Sequence, residues 1–224
     1  MTGMLASVNS LEEARLVLAA QVDIIDLKEP GAGSLGALPT ALITEIVADI
    51  DKRVLTSCTI GDLPMDAKQV YSATSAVAQT GVDYVKVGIF PGDGTDAVLE
   101  KLADLAQRFR LIAVLFADAQ PDFGIIDWLH RIGFSGIMLD TLDKSNGALT
   151  EIMRLKELEC FVINVKSRQL ICGLAGSLRL DDVPQLLRLQ PDYLGFRGAL
   201  CEKNDRSGRI NSLSVEQLKR AMVG

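Results

Sequence analysis

The stretch Ile24-Ile25-Asp26-Leu27-Lys28, followed at once by Glu29-Pro30-Gly31-Ala32-Gly33-Ser34-Leu35-Gly36, reads as a strand that delivers an amine into a glycine-rich loop. Side chains alternate along a strand, so Asp26 and Lys28 share one face, about 7 Å apart along the chain. The pattern recurs at Tyr84-Val85-Lys86-Val87-Gly88, which puts a second lysine inside an apolar run. An ionisable side chain in a strand core is destabilising unless it is paired or does chemistry. These two segments therefore point to a sheet whose strands carry a reactive site.

Outward from them, short apolar segments alternate with longer amphipathic ones. Strands are predicted near Met4–Val8, Ile24–Lys28, Val54–Thr59, Tyr84–Gly88, Leu111–Phe116, Gly136–Leu139, Leu170–Gly173 and Tyr193–Phe196. Helices are predicted near Ser10–Gln21, Thr40–Asp49, Asp66–Thr80, Asp96–Phe109, Gly124–Ile132, Ala148–Ser167, Asp181–Leu189 and Ser214–Met222. Eight alternating pairs make an α/β protein of the (β/α)8 TIM-barrel type, a single domain over residues 1–224. A doubly wound open sheet is the competitor, because periodicity does not show whether a parallel sheet closes. Ionisable residues at the ends of several different strands favour closure, since a barrel gathers its active site there.

A chain of 224 residues with 48% hydrophobic residues can bury one large core. Net charge of −6 argues against a general nucleic-acid or anionic-membrane surface, so an anion site has to be local. Met1-Thr2-Gly3-Met4-Leu5-Ala6 lacks the basic start of a secretory signal, and no apolar run reaches the roughly 20 residues that span a bilayer. The expectation is a cytoplasmic protein, forming a homo-oligomer. Cys58, Cys160, Cys172 and Cys201 are scattered without metal or redox spacing and read as buried, inert thiols. The single histidine, His130, leaves no histidine-based metal site and reads as structural, so proton transfer falls to Lys, Asp, Glu or Tyr.

The strand ends supply the candidates. Thr59-Ile60-Gly61-Asp62-Leu63-Pro64 has the composition of a structural turn. Asp118 in Phe116-Ala117-Asp118-Ala119 and Asp140 in Met138-Leu139-Asp140-Thr141 either cap the next helix or face a site, with Lys144 close behind Asp140. Leu174-Ala175-Gly176-Ser177 and Phe196-Arg197-Gly198-Ala199 follow the last two strands. Small residues there let backbone N–H groups approach a phosphate, and Arg197 adds a charge-assisted contact. Lys203-Asn204-Asp205-Arg206-Ser207-Gly208-Arg209 reads as a solvated face or a subunit contact.

Taken in order, Asp26-Leu27-Lys28-Glu29-Pro30 with Gly33-Ser34-Leu35-Gly36, Thr59-Ile60-Gly61-Asp62, Tyr84-Val85-Lys86-Val87-Gly88, Ala117-Asp118-Ala119, Met138-Leu139-Asp140-Thr141, Leu174-Ala175-Gly176-Ser177 and Arg197-Gly198-Ala199 resemble the (5-formylfuran-3-yl)methyl phosphate synthase family of methanofuran biosynthesis. The resemblance runs from about Asp23 to Arg209. It departs at Phe116, where archaeal members tend to carry tyrosine, and it includes no motif in Asn164-Val165-Lys166-Ser167-Arg168. The resemblance implies a (β/α)8 barrel that condenses two molecules of glyceraldehyde 3-phosphate, with release of phosphate and water and without metal or organic cofactor. It also implies a Schiff-base lysine at Lys28 and a proton-accepting lysine at Lys86.

Chemistry sets a condition on those roles. An amine adds to a carbonyl only when neutral, and a lysine of pKa about 10.4 needs a fall of roughly three units to be largely neutral near pH 7. Burial in a barrel mouth and a second cation at Lys86 push that way. Asp26 pushes back, unless it is protonated or held by Lys144. Asp140, Lys144 and Asp118 are then the candidates for proton movements after carbon–carbon bond formation. Gly176, Ser177, Arg197 and Gly198 are the expected phosphate site. A class I aldolase-like enzyme acting on another sugar phosphate would share Lys28 and the phosphate motifs, and a catalytically silent phosphate-binding protein is the non-enzymatic alternative.

Overall fold

The structure is a computed structural model that describes residues 1–223. Eight parallel strands close in sequence order into a barrel: β1 (Gly3–Val8), β2 (Ile24–Leu27), β3 (Leu55–Thr59), β4 (Tyr84–Gly88), β5 (Leu111–Phe116), β6 (Gly136–Asp140), β7 (Ile171–Leu174) and β8 (Tyr193–Phe196). Outside them lie α1 (Leu11–Ala19), α2 (Thr40–Ile50), α3 (Ala67–Ala78), α4 (Thr95–Ala106), α5 (Ile125–Arg131), α6 (Leu149–Ile152), α7 (Leu155–Ser167), α8 (Val183–Leu187) and α9 (Ser212–Val223). This is a (β/α)8 TIM barrel, and the open-sheet alternative is excluded by the pairing of β1 with β8 through Leu5 and Gly195.

The apolar residues divide into two cores. Helix faces pack on the outside of the sheet through residues such as Ile43, Ile46, Leu102, Leu129, Phe161 and Leu218. Inside, Leu5, Ile24, Ile112, Val114, Met138 and Tyr193 fill the lower barrel. Above this apolar plug the inward positions change character to Ser7, Asp26, Lys28, Lys86, Asp140 and Arg197, all buried. The strands thus deliver polar groups to one end only, the C-terminal mouth where barrel enzymes place their chemistry.

The lower rim is tied by a repeated device. Asp23, Asp83 and Asp192 stand just before β2, β4 and β8, and each carboxylate accepts a backbone N–H from the strand before: Met4 at 2.7 Å, Thr56 at 2.8 Å and Cys172 at 2.7 Å. Each bond fixes the register of a neighbouring pair, and hydrogen bonds to charged acceptors are the stronger kind.

One expected element divides. The helix predicted over Ala148–Ser167 is two helices, because Met153 (φ −117, ψ 135) and Arg154 (φ −66, ψ 146) are extended and the Glu157 carboxylate accepts the Arg154 N–H at 2.9 Å, starting a new helix. The expected helix over Asp181–Leu189 is likewise a 3-10 turn, Leu180–Asp182, that leads into the short α8. Among the described residues no helix is long and apolar enough to cross a membrane. Cys58, Cys172 and Cys201 are buried, but Cys160 lies exposed on α7, contrary to the expectation of four buried thiols. His130 is exposed on α5.

Candidate active site

Lys28 is the first residue past β2, and its N–H still bonds the Val8 carbonyl at 3.0 Å, so its side chain keeps the inward direction set by Asp26 two residues before. The loop that follows is fixed from β3. The Asp62 carboxylate accepts from Ser34 N (2.8 Å), Leu35 N (2.9 Å) and Ser34 Oγ (3.2 Å), while the Thr59 hydroxyl donates to Gly36 O at 3.0 Å. Gly33 has φ +114, and a Cβ there would fall 2.0 Å from Asp62 Oδ2, so both the backbone turn and the close approach require glycine. The loop in turn places Ser34 O at 3.5 Å from Lys28 Nζ.

Beneath Lys28 lies a closed polar knot. Asp26 is fully buried; its Oδ1 is 2.7 Å from Lys86 Nζ and 2.6 Å from Ser57 Oγ, and its Oδ2 accepts from Ser7 Oγ at 2.8 Å. Burial works to raise the Asp26 carboxyl, but the Lys86 and Lys28 charges and the hydrogen bonds from Lys86 and Ser57 hold it below the ordinary carboxylate range. Asp26 is therefore held by Lys86, not by Lys144. Across the mouth, Lys144 Nζ lies 2.6 Å from Asp140 Oδ1 and also donates to Thr141 O and Oγ1. Burial again opposes ionisation of Asp140, yet the Lys144 and Lys28 charges and donors from Lys144 and Thr141 bring its pKa down to about 2.

Lys28 itself has no carboxylate in direct contact. Burial is the main influence and takes its pKa down to about 8; Lys86 and Lys144 push the same way, against the pull of Asp140 and Asp26. A minority of the amine, roughly a tenth at pH 7, is thus neutral and available as the nucleophile, far more than in a free lysine.

Lys28, Lys86, Asp140, Lys144, Gly176, Ser177, Arg197 and Gly198 all line one cavity of about 210 Å³ at the mouth. Gly176 has φ +109 and a Cβ on it would press to 2.7 Å from Thr141 Cγ2, while Ser177 follows in the left-handed region at φ 50. Among the described residues the N–H groups of Gly176, Ser177, Gly198 and Ala199 donate to no protein acceptor, and all four residues face this cavity. Such a cluster of free N–H groups suits an anion.

Three assignments from the sequence need correction. Arg197 does not offer its guanidinium to a ligand: all five N–H donors are spent, on Glu13 (2.6 and 3.2 Å), Ser7 O, Arg206 O and Gly208 O. Asp118 lies outside the cavity, where its carboxylate accepts the N–H groups of Leu142 (2.7 Å) and Asp143 (2.8 Å) and so shapes the loop that carries Lys144. Asp26 lies below the cavity floor and reaches it only through Lys86. The segment Lys203–Arg209 is no bland surface loop either, because Asn204 and Arg206 line the cavity. The sequence reading missed Arg206, Asn204, Ser7, Ser57 and Glu13. Their only sequence signal was indirect: Ser7 and Ser57 sit at inward strand positions by alternation with Leu5 and Thr59.

The family model described as 4-HFC-P synthase matches residues 4–219. A protein of Methylorubrum extorquens named "Putative (5-formylfuran-3-yl)methyl phosphate synthase" is 41% identical over 98% of this chain and 91% of its own length. The (5-formylfuran-3-yl)methyl phosphate synthase of Methanocaldococcus jannaschii is 32% identical over 96% of this chain and 97% of its own. Among solved structures, 3-hexulose-6-phosphate synthase from Salmonella typhimurium superposes with TM-score 0.70 at 14% identity, covering 99% of both chains. Phosphoribosyl anthranilate isomerase from Thermus thermophilus gives 0.68 at 15% identity, over 100% of this chain and 98% of that one. These two likenesses concern the fold.

Proposed function

Because the chain belongs to the 4-HFC-P synthase family, a family of (5-formylfuran-3-yl)methyl phosphate synthases, we propose that it condenses two molecules of glyceraldehyde 3-phosphate through an imine on Lys28. The product is (5-formylfuran-3-yl)methyl phosphate, a precursor of a methanofuran-type cofactor; one phosphate and two waters leave, which balances the atoms. The observation that carries this reading is the Lys28 amine, brought by burial to a pKa of about 8 at the wall of a polar cavity.

In this reading Lys28 adds to the aldehyde of one triose phosphate, and loss of water gives an iminium that acidifies the adjacent carbon. Lys86, paired with Asp26, takes that proton. The enamine then forms the carbon–carbon bond to the second triose, and the Asp140–Lys144 pair moves protons during dehydration and ring closure. Asp26 acts as a positioning residue through Lys86, and the N–H groups at Gly176, Ser177, Gly198 and Ala199 hold the phosphate of the second triose.

The test is borohydride reduction during turnover, with peptide mapping and ultraviolet detection of the furan aldehyde. The expected result is a reduced triose adduct on Lys28 together with furan product. An adduct on Lys86 or Lys144 moves the nucleophile, and an adduct on Lys28 with only acyclic product makes the protein an aldolase-type enzyme.

A further inference from the structure

The cations around the cavity are mostly neutralised by the protein. Lys86, Lys144 and Arg197 each sit 2.6 to 2.7 Å from a carboxylate oxygen. Arg179 is exposed and leans toward Glu151 at 3.7 Å. Lys28 has to be neutral for the chemistry proposed above. Only Arg206 is left as a permanent cation at the cavity that forms no ion pair among the described residues.

Its placement is specific. Nη2 donates to Gly33 O at 2.8 Å, the carbonyl one residue before the one that faces Lys28 Nζ, and the other guanidinium donors meet no protein acceptor among the described residues. The guanidinium is therefore half-buried beside the nucleophile with most of its fork unused. It does not hold this position by chance: the segment that carries it is clamped by Arg197, which donates to the carbonyls of Arg206 and Gly208 while its other side grips Glu13. The buried Glu13–Arg197 pair thus serves to fix a second arginine.

We propose that Arg206 binds the phosphate of the triose held on Lys28, a second phosphate site distinct from the N–H cluster at Gly176 and Gly198. This rests on the reading of Lys28 given above. A triose phosphate carries its phosphate two carbons from the aldehyde carbon, a short bridge between neighbouring groups. The planar fork suits a phosphate monoester, and the half-buried site strengthens the contact. Arg206 is then the residue that makes the nucleophile's substrate a phosphorylated triose, and Arg197 is its positioning residue.

Equilibrium dialysis with inorganic phosphate tests the site without activity. The expected result is two phosphates per chain in the unsubstituted protein and one in Arg206→Ala, with Arg206→Lys keeping the second at reduced affinity. A single phosphate in the unsubstituted protein, or two of unchanged affinity in folded Arg206→Ala, overturns the proposal. Borohydride trapping supplies the second readout: Arg206→Ala should raise the half-saturating concentration of glyceraldehyde 3-phosphate more than tenfold and leave that of unphosphorylated glyceraldehyde unchanged. Equal loss with both aldehydes means a structural role and also overturns it. If no aldehyde is trapped on Lys28 at all, the Schiff-base reading fails, while the phosphate count still decides the site.

Discussion

Lys28 shows how one residue's environment sets its chemistry. Its pKa of about 8 means that the ammonium form dominates below that pH and the nucleophilic amine above it. Imine trapping on Lys28 should therefore rise with pH through a midpoint near 8, well below that of a free lysine. The neighbours give the sign of two further shifts. Asp140→Asn removes the strongest pull toward the charged form and frees Lys144 to repel it, so the midpoint should move to lower pH. Lys144→Met removes a repelling cation and leaves the Asp140 charge uncompensated, so the midpoint should move up. Measuring trapped adduct against pH in the three proteins checks both; shifts in the same direction would mean that these charges do not govern Lys28.

At the scale of the element, the strap Lys203–Arg209 depends on an ion pair that the protein has buried. Removing one partner of such a pair leaves the other charge stranded and typically costs about 3 to 5 kcal/mol. Arg197→Ala should lower unfolding free energy by about that much in denaturant titration, because Glu13 loses its two guanidinium contacts. The phosphate bound at Gly176 and Ser177 should keep its affinity in the folded fraction, since no Arg197 donor reaches it. Asp118 predicts a milder case. Asp118→Ala frees the Leu142 and Asp143 N–H groups, so it should cost about 1 to 3 kcal/mol and lower turnover by loosening the Lys144 loop, with the Lys28 pH midpoint unmoved. A shifted midpoint would give Asp118 a direct electrostatic role in the site.

Across the whole molecule, the site is bought with stability. Lys28 binds its proton more weakly in the folded chain than in the unfolded one, so between about pH 8 and 10.5 the unfolded state holds more protons and stability rises with pH. At about 1.36 kcal/mol per unit this group alone accounts for about 3 kcal/mol. The difference in unfolding free energy between Lys28→Met and the unsubstituted protein should therefore favour the variant near neutral pH and shrink by about that amount as pH reaches 10.5. Asp140 has the opposite sign: its pKa is depressed to about 2, so its contribution is present above the unfolded value near 3.8 and is lost as pH falls through 2. A constant difference between the two proteins from pH 7 to 10.5 would show that Lys28 is not desolvated in solution.

The order and type of the elements follow from local physics, and the sequence alone carries them. Alternating β-branched runs such as Ile24–Leu27 and amphipathic stretches such as Thr95–Ala106 can each bury only one kind of surface, so eight strands and the helices between them are legible without coordinates. The inward direction of Asp26, Lys28 and Lys86 is legible for the same reason, since alternation fixes a strand's faces. The break at Met153–Arg154 was hidden, because Glu157 acts by one side-chain hydrogen bond that periodicity does not register. What only the tertiary structure decided is which charges meet. Glu13 and Arg197 are 184 residues apart, Arg206 and Gly33 are 173, and no local pattern says that the loop after β8 folds back across the mouth to β2. Strand alternation could offer Arg197 to the barrel mouth. Whether its donors were free for phosphate or spent on the protein depended on closure of the barrel, which brings α1, β1 and the last loop to one place and there satisfies the guanidinium completely.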